Sequence, residues 1–487
     1  MPTEYEARLH HAFHYLTVVA EAEELCEAGG EALRRGIRLF EAEKINILRG
    51  QAWARTNMDV DRGARMMCSN YVDYAPQVIQ LRLPPHERLS WLEAALAASR
   101  RLRNRRAEAG HLLYLGIAYS QLGEFSRALE CNQKALVRFR KLGDRDMEAY
   151  ALSNLALVYH QLGENHRAIR SHRLNLKIVR ALGDRRGEGH TLGNLGLSYF
   201  DLGKTRLAIK YFEQSLAAAR QCQDLMSESN ALGNLANVHS SVGNLRMAIQ
   251  YHERALTIAR ELADREGLGS ALCNLGSTYY RLGDSKRAIK LLKEALAVVR
   301  DIGNRQFESS ALNNLGNAYF ASKQPQRALK YFEQQLAIAK AIGDRQSEAD
   351  AAGAMGAVYL ASGDHRRAIR FFREAVALAR EMGNTRGEGM FTGNLGVAYS
   401  RSGQQRAAIK CFQQSLELAR QVDNRSGEAT NLYNLALDFY EMGQCHQAVA
   451  HAEQAQLIFE QIEDPDTAKV RAKLAAWRKT LKKQLAN

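Results

Sequence analysis

The amino-acid sequence predicts an all-α protein, a solenoid of helix hairpins stacked one on the next, and three observations carry the prediction. The first is composition: 6 prolines against 36 glycines, only 8% aromatic residues and abundant alanine, leucine, arginine and glutamate favour helices over a sandwich or barrel. The second is repetition. Rows of forty residues align without a gap, ALSNLALVYHQLGENHRAI from position 151 over TLGNLGLSYFDLGKTRLAI from 191, ALGNLANVHSSVGNLRMAI from 231 and ALCNLGSTYYRLGDSKRAI from 271. The third is the pattern inside a row, where an apolar segment of period 3.6 (Leu195, Tyr199, Leu202) meets a glycine and is followed by a second such segment (Ala208, Phe212, Leu216).

Taken in order, residues 1–63 fit no row, but YEARLHHAFHYLTVVAEAEELCEAG and ALRRGIRLFEAEKINILRGQAWART each read as a helix. Residues 64–103 read as a degenerate hairpin, because RLSWLEAALAASRRLRNRRAE aligns with RALECNQKALVRFRKLGDRDME while Pro84-Pro85 replaces the turn glycine. Nine full units occupy 104–463. One column holds alanine in all nine: Ala128, Ala168, Ala208, Ala248, Ala288, Ala328, Ala368, Ala408 and Ala448. The glycine column (Gly123, Gly163, Gly203, Gly243, Gly283, Gly363, Gly403, Gly443) fits a helix end that needs positive φ, with Lys323 as the exception. Ahead of each new helix stand Asn104, Asp144, Asp184, Asp224, Asp264, Asn304, Asp344, Asn384, Asn424 and Asp464, all competent N-caps. Small residues at Gly116, Ala156, Gly196, Ala236, Gly276, Gly316, Gly356, Gly396 and Ala436 let paired helices approach closely, and each hairpin then buries its apolar face only against its neighbours. Residues 464–487 read as a basic amphipathic helix that caps the ninth hairpin.

The run Asn-Leu-Gly-x-x-Tyr, then Gly, then Ala, then a position that is often aromatic (Phe212, Phe332, Phe372, Phe412) resembles the tetratricopeptide repeat over about 360 residues. It departs in length, forty rather than thirty-four, and in placing Leu-Gly-Asp-Arg where the usual repeat has proline. That variant is similar to Partner-of-Inscuteable repeats and to arrays appended to bacterial signalling ATPases of the NB-ARC (STAND) type. The resemblance implies a right-handed superhelix with a ligand groove on its concave wall, and residues 1–63 resemble the helical stretch that joins ATPase to array in those regulators. It also implies a protein or peptide partner, with an NB-ARC-like ATPase or effector supplied by another chain.

Local motifs add little chemistry. Hydrophobic residues at 46% and charged residues at 25% are globular averages, which excludes bulk disorder. No run of 18 apolar residues occurs and MPTEYEARLHHAF is no secretory or transit leader, so a cytoplasmic protein without a membrane span is expected. Seven scattered cysteines without a CxxC pair signal neither disulfides nor zinc. Gly203-Lys204-Thr205 mimics the end of a P-loop, but Ser198 stands where its first glycine belongs and two helices flank it. His10, His11 and His14 lack a carboxylate partner, and neither HExxH nor GxSxG occurs. The expectation is therefore a chain with no catalysis, no cofactor and no metal.

Charge and polarity then suggest how the array binds. The net charge of +14 includes a column of cations, Arg140, Arg180, Arg220, Arg260, Arg300, Lys340, Arg380 and Arg420, in the last turn of each second helix. Two readings stay open for it: compensation of the helix dipole, or a phosphate-tracking ridge that would make the array a nucleic-acid binder, the disfavoured alternative. A second column is asparagine: Asn154, Asn194, Asn234, Asn274 and Asn314 run unbroken, Ala354 interrupts, and Asn394 and Asn434 resume. An amide side chain offers a donor and an acceptor that together match one peptide unit. Six residues on, Phe200, Tyr280 and Phe320 promise aromatic ledges, so the groove suits an extended peptide, whether a segment of a partner protein or a short pheromone.

Overall fold

A computed structural model describes residues 3–28 and 30–486, the side chains of 482–486 excepted, so the Lys482 and Lys483 side chains of the basic tail lie outside what is described. Among the described residues there are 24 helices and no strand. The chain divides into two compact units, Met1–Val238 and His239–Asn487. The first holds α1 (Glu4–Glu27), α2 (Gly30–Asn57), α3 (Arg62–Asp73), α4 (Pro76–Arg82), α5 (Pro85–Arg101), α6 (Arg105–Gln121), α7 (Phe125–Leu142), α8 (Arg145–Gln161), α9 (Asn165–Leu182), α10 (Arg185–Asp201), α11 (Thr205–Gln221) and most of α12 (Leu225–Ser241). The second holds the end of α12 with α13 (Leu245–Glu261), α14 (Arg265–Arg281), α15 (Ser285–Asp301), α16 (Arg305–Ala321), α17 (Pro325–Ile342), α18 (Arg345–Ala361), α19 (His365–Glu381), α20 (Thr385–Arg401), α21 (Gln405–Gln421), α22 (Arg425–Glu441), α23 (Cys445–Gln461) and α24 (Thr467–Ala486).

In the first unit α1 and α2 pair along their length, and α3 and α4 pack across them. Tyr71 donates from its buried hydroxyl to the Ala12 carbonyl at 2.7 Å. The Glu23 carboxylate accepts the N–H groups of Gln77 (2.8 Å) and Val78 (2.7 Å), tying the start of α4 to α1. The hairpin expected at 64–103 is modified: its first helix breaks at Ala75-Pro76 into α3 and α4. The proline has no N–H to continue the ladder and its ring opposes the carbonyl four residues back. Only α5 keeps the register of a second helix.

From α6 onward the forty-residue rule produces the same turns again and again. Asn104, Asp144, Asp184, Asp264, Asn304, Asp344, Asn384 and Asn424 each accept the N–H three residues on. Asp464 does not cap a helix: its carboxylate accepts the N–H of Asp466 at 2.9 Å in a turn containing Pro465, and α24 starts only at Thr467. The residue before each cap is left-handed, glycine in some rows but Arg103, Gln223, Ala263, Asp423 and Glu463 in others, with φ between 51° and 55°. Lys323 likewise takes φ 58° in the glycine column.

The small-residue column explains how tightly each pair closes. A Cβ built on Gly196 would meet two ring atoms of Phe212 at 2.6 Å, and one on Gly316 would meet the Phe332 ring at 2.4 Å. Glycine is required where the residue sixteen positions later is phenylalanine. Alanine stands at 156, 236 and 436, where that later residue is His172, His252 or Ala452. All nine column alanines are 0% exposed. In the second unit α24 lies on α23 and buries Val470, Leu474 and Trp477, the indole stacking on Tyr440 at 4.8 Å.

The arginine column is paired rather than free. Arg140, Arg180, Arg220, Arg300, Arg380 and Arg420 each reach a glutamate eight residues on, at 2.6–3.0 Å. Arg260, whose row has Leu268 at that place, turns to Glu294 at 3.2 Å, and Lys340 reaches Glu374 at 3.7 Å. Burial alone would raise the Glu188 and Glu308 carboxyls. The guanidinium hydrogen bonds from Arg180 and Arg185, and from Arg300 and Arg305, outweigh it and hold both below the usual range. The cations of this column are thus committed to carboxylates of the fold.

Candidate functional site

First helices of successive hairpins touch one another directly, α6 with α8 in the first unit and α14, α16, α18, α20 and α22 in sequence in the second. Polar side chains bridge them. Ser120 donates to Gln161 (2.7 Å) and His160 meets Asp201 (2.5 Å) in the first unit; in the second Arg281 donates to Ser240 (2.6 Å) and Ser400 to Asp438 (2.5 Å). The asparagine column belongs to this wall. Each asparagine precedes a buried leucine (Leu155, Leu195, Leu235, Leu275, Leu315, Leu395, Leu435), and one helix step of about 100° from a buried position leaves it at the edge of the core. Six are half-buried and Asn394 is exposed.

The amides behave differently from one another. Asn154 donates back to the Tyr150 carbonyl of its own helix at 3.0 Å, and Asn314 donates to Cys273 Sγ of the preceding hairpin at 3.4 Å. Asn194, Asn234, Asn274, Asn394 and Asn434 make no side-chain hydrogen bond among the described residues, and their donors and acceptors stay available. Tyr280 and Phe320 are half-buried and pack against the apolar core of the second unit, so they are edges of that core rather than free ledges; Phe200 is half-buried as well.

In the second unit a cleft of about 340 Å³ opens between α20 and α22, floored by α21, with Asn394 and Asn434 on its walls. Absent side chains make the room: Gly389, Gly393 and Gly427 line it, and a Cβ on Gly393 would sit 3.1 Å from Ser415 Oγ. The floor is satisfied internally, since Ser415 donates to the Gly389 carbonyl at 2.7 Å and Asn431 donates to Ser415 Oγ at 2.8 Å and to the Gly427 carbonyl at 2.9 Å. The same device recurs in the first unit, where Ser215 donates to the Gly189 carbonyl at 2.8 Å. Met390 and Val397 add apolar surface, and among the described residues Arg386 is the one charged residue lining the cleft.

Sequence reasoning passed over Asp438, which is buried, receives the Ser400 hydroxyl and keeps Oδ2 without a partner. Burial raises its carboxyl, against the lowering effect of the Ser400 hydrogen bond. Its signal was a departure within a column that otherwise reads Val158, Ser198, Val238, Thr278, Ala318, Val358 and Ala398. Gly203 is an ordinary left-handed turn residue between α10 and α11, and the His11 ring lies tilted by 49° against Tyr15, their centroids 4.6 Å apart. Among the described residues no cluster of three His, Cys, Asp or Glu is placed to hold a metal, and no helix is long and apolar enough to cross a membrane.

Comparison with known proteins agrees with this architecture. A STAND-class signal-transduction ATPase with a tetratricopeptide repeat sensor from Pyrococcus horikoshii superposes with TM-score 0.52 at 16% identity, over 74% of this chain and 53% of that one, so the chain spans about half its length. The apo form of the quorum sensor NprR from B. thuringiensis gives TM-score 0.51 at 16% identity, over 69% of this chain and 97% of that one. No curated protein matches. The sequence profile of the tetratricopeptide repeat matches four successive stretches, 147–221, 227–301, 307–381 and 389–461, each the length of two hairpins and together more than half of the chain. The chain therefore belongs to the tetratricopeptide repeat family.

Proposed function

We propose that this protein is a non-catalytic scaffold that captures an extended, largely uncharged segment of a partner protein along the wall of its first helices, as the sensing component of a bacterial signalling system whose ATPase or effector is another chain. The observation that carries the proposal is the glycine-lined cleft between α20 and α22, where Asn394 and Asn434 present unengaged amides across one hairpin period. Two amides supply four hydrogen bonds to a peptide backbone, each about 0.5–1.5 kcal/mol net. The unengaged asparagines of α10 and α12 offer the same chemistry in the first unit, as does that of α14 in the second. Capture of a short free peptide, as a pheromone receptor would do, uses the same contacts and differs only in the size of the ligand.

The test is selection of binders from a random peptide library on the purified protein, followed by affinity measurement for Asn394→Ala/Asn434→Ala and for Asn194→Ala/Asn234→Ala. The expected outcome is a loss of about 5- to 100-fold for at least the first pair, with the melting temperature within a few degrees of the parent. A library that yields no binder, or variants that melt early while binding unchanged, would overturn the proposal in favour of amides that merely brace neighbouring hairpins.

A further inference from the structure

We infer that the outward face of α9 is a second docking surface, built for an acidic amphipathic helix of a partner protein. Helix α9 carries Arg167, Arg170, Arg173, Lys177 and Arg180 and not one aspartate or glutamate. Two of these have ordinary structural roles: Arg167 pairs with Glu164 at 2.8 Å and Arg180 with Glu188 at 2.7 Å. The others border an open cleft of about 610 Å³ together with His166, Ile169, Leu174, Tyr199 and Lys204. Arg170, Lys177 and Lys204 are exposed and have no carboxylate within ion-pairing distance among the described residues. Arg173 is held in place, donating to the Tyr199 hydroxyl at 2.6 Å, and the Tyr199 ring stacks on Tyr211 at 5.3 Å.

Arg170 stands in a column that is cationic in most rows (Lys210, Lys290, Lys330, Arg370, Lys410), but Lys177 and Lys204 break the repeat, and so the stacking of hairpins does not account for the cluster. At the place of Lys204 other rows have an acid (Glu124, Glu164, Asp284, Asp364) or an amide (Asn244, Gln324, Gln404, Gln444); at the place of Lys177 none has a cation, and Ala217, Ala297, Ala337 and Ala377 are typical. Arg170, Arg173 and Lys177 are spaced i, i+3, i+7, one face of a helix spanning about 10 Å. Between them Leu174 is 40% exposed, an apolar seat in a cationic frame. A partner helix with acids at the same spacing and one leucine among them would complement both features.

Nucleic acid fits less well. A phosphate track needs cations continued along the chain; Lys210 continues the column of Arg170 on one side, but Glu130 interrupts it on the other and Glu213 interrupts the column of Arg173. None of the lining residues belongs to the asparagine column, so this surface stands or falls apart from the peptide-capture proposal.

The probe is a fluorescein-labelled helical peptide of roughly sixteen residues with glutamate at i, i+3 and i+7 and leucine at i+4, compared with a duplex DNA of similar length by anisotropy at low and physiological salt. Arg170→Gln/Lys177→Gln/Lys204→Gln should weaken the peptide about tenfold. The charge-matched control Lys286→Gln/Lys290→Gln/Lys330→Gln, on exposed residues elsewhere, should change it less than about threefold. Circular dichroism confirms that both variants fold. Equal weakening by the two triples would reduce the effect to net charge, absence of peptide binding would remove the surface, and tighter binding of the duplex with its loss in the α9 variant would assign the face to nucleic acid; each overturns the inference.

Discussion

Replacing Ala156 by glycine and His172 by phenylalanine should transplant the glycine–phenylalanine pair of α10–α11 into α8–α9 and at the same time remove a pH sensitivity. His172 is 1% exposed, leaves Nδ1 without a partner, and has its pKa lowered to about 4, chiefly by burial and secondarily by His160. A histidine depressed in the folded state takes up its proton preferentially in the unfolded chain, so its stability contribution is whole above about 6.5 and declines as the pH falls toward 4. Between about pH 8 and pH 5 the loss is about 2 kcal/mol. His252, equally buried and also lowered to about 4, adds a similar loss that the double variant retains. His172→Phe alone should be about 1–3 kcal/mol less stable than the double variant, because a methyl at that place in α10 would stand 2.6 Å from the phenylalanine ring. Urea unfolding followed by circular dichroism at the two pH values measures both quantities. The reasoning is refuted if the double variant keeps the full pH dependence of the parent, or if His172→Phe is as stable as the double.

Two further outcomes test the turns and the last helix. Ala263 holds φ 52° with a side chain that disfavours it, so Ala263→Gly should raise stability by about 1 kcal/mol, visible as a higher melting temperature, whereas an unchanged or lower value would mean that the left-handed turn carries no strain. Trp477→Ala should cost about 3–5 kcal/mol locally by uncovering Tyr440 and the α22–α23 pair, and hydrogen exchange should quicken there and in α24 while α14–α16 stays protected.

Much of this molecule was legible from its residues because the information is local. A glycine or a left-handed turn residue, an Asn or Asp cap and a 3.6-period apolar stripe act within one or two helical turns, so the hairpins from α6 to α23 follow from the sequence almost residue by residue. The break at Ala75-Pro76 was equally local, but the weak alignment of residues 64–103 with the other rows drew attention to Pro84-Pro85 instead. The asparagine column was legible as a pattern; which of its amides stay unengaged was not.

Stacking decided what a column of like residues does, because a side chain of fixed length finds its partner only once neighbouring hairpins stand at a set separation. Arg180 meets Glu188 across a turn while Arg170 and Lys177, on the same helix, find no carboxylate among the described residues. Asn314 reaches Cys273 while Asn394 and Asn434 flank an open cleft, since glycine and serine beneath them leave space. The sequence by itself determined the helices, their turns and the order of their pairing; the tertiary structure decided which polar groups are consumed by the fold and which are left for a partner.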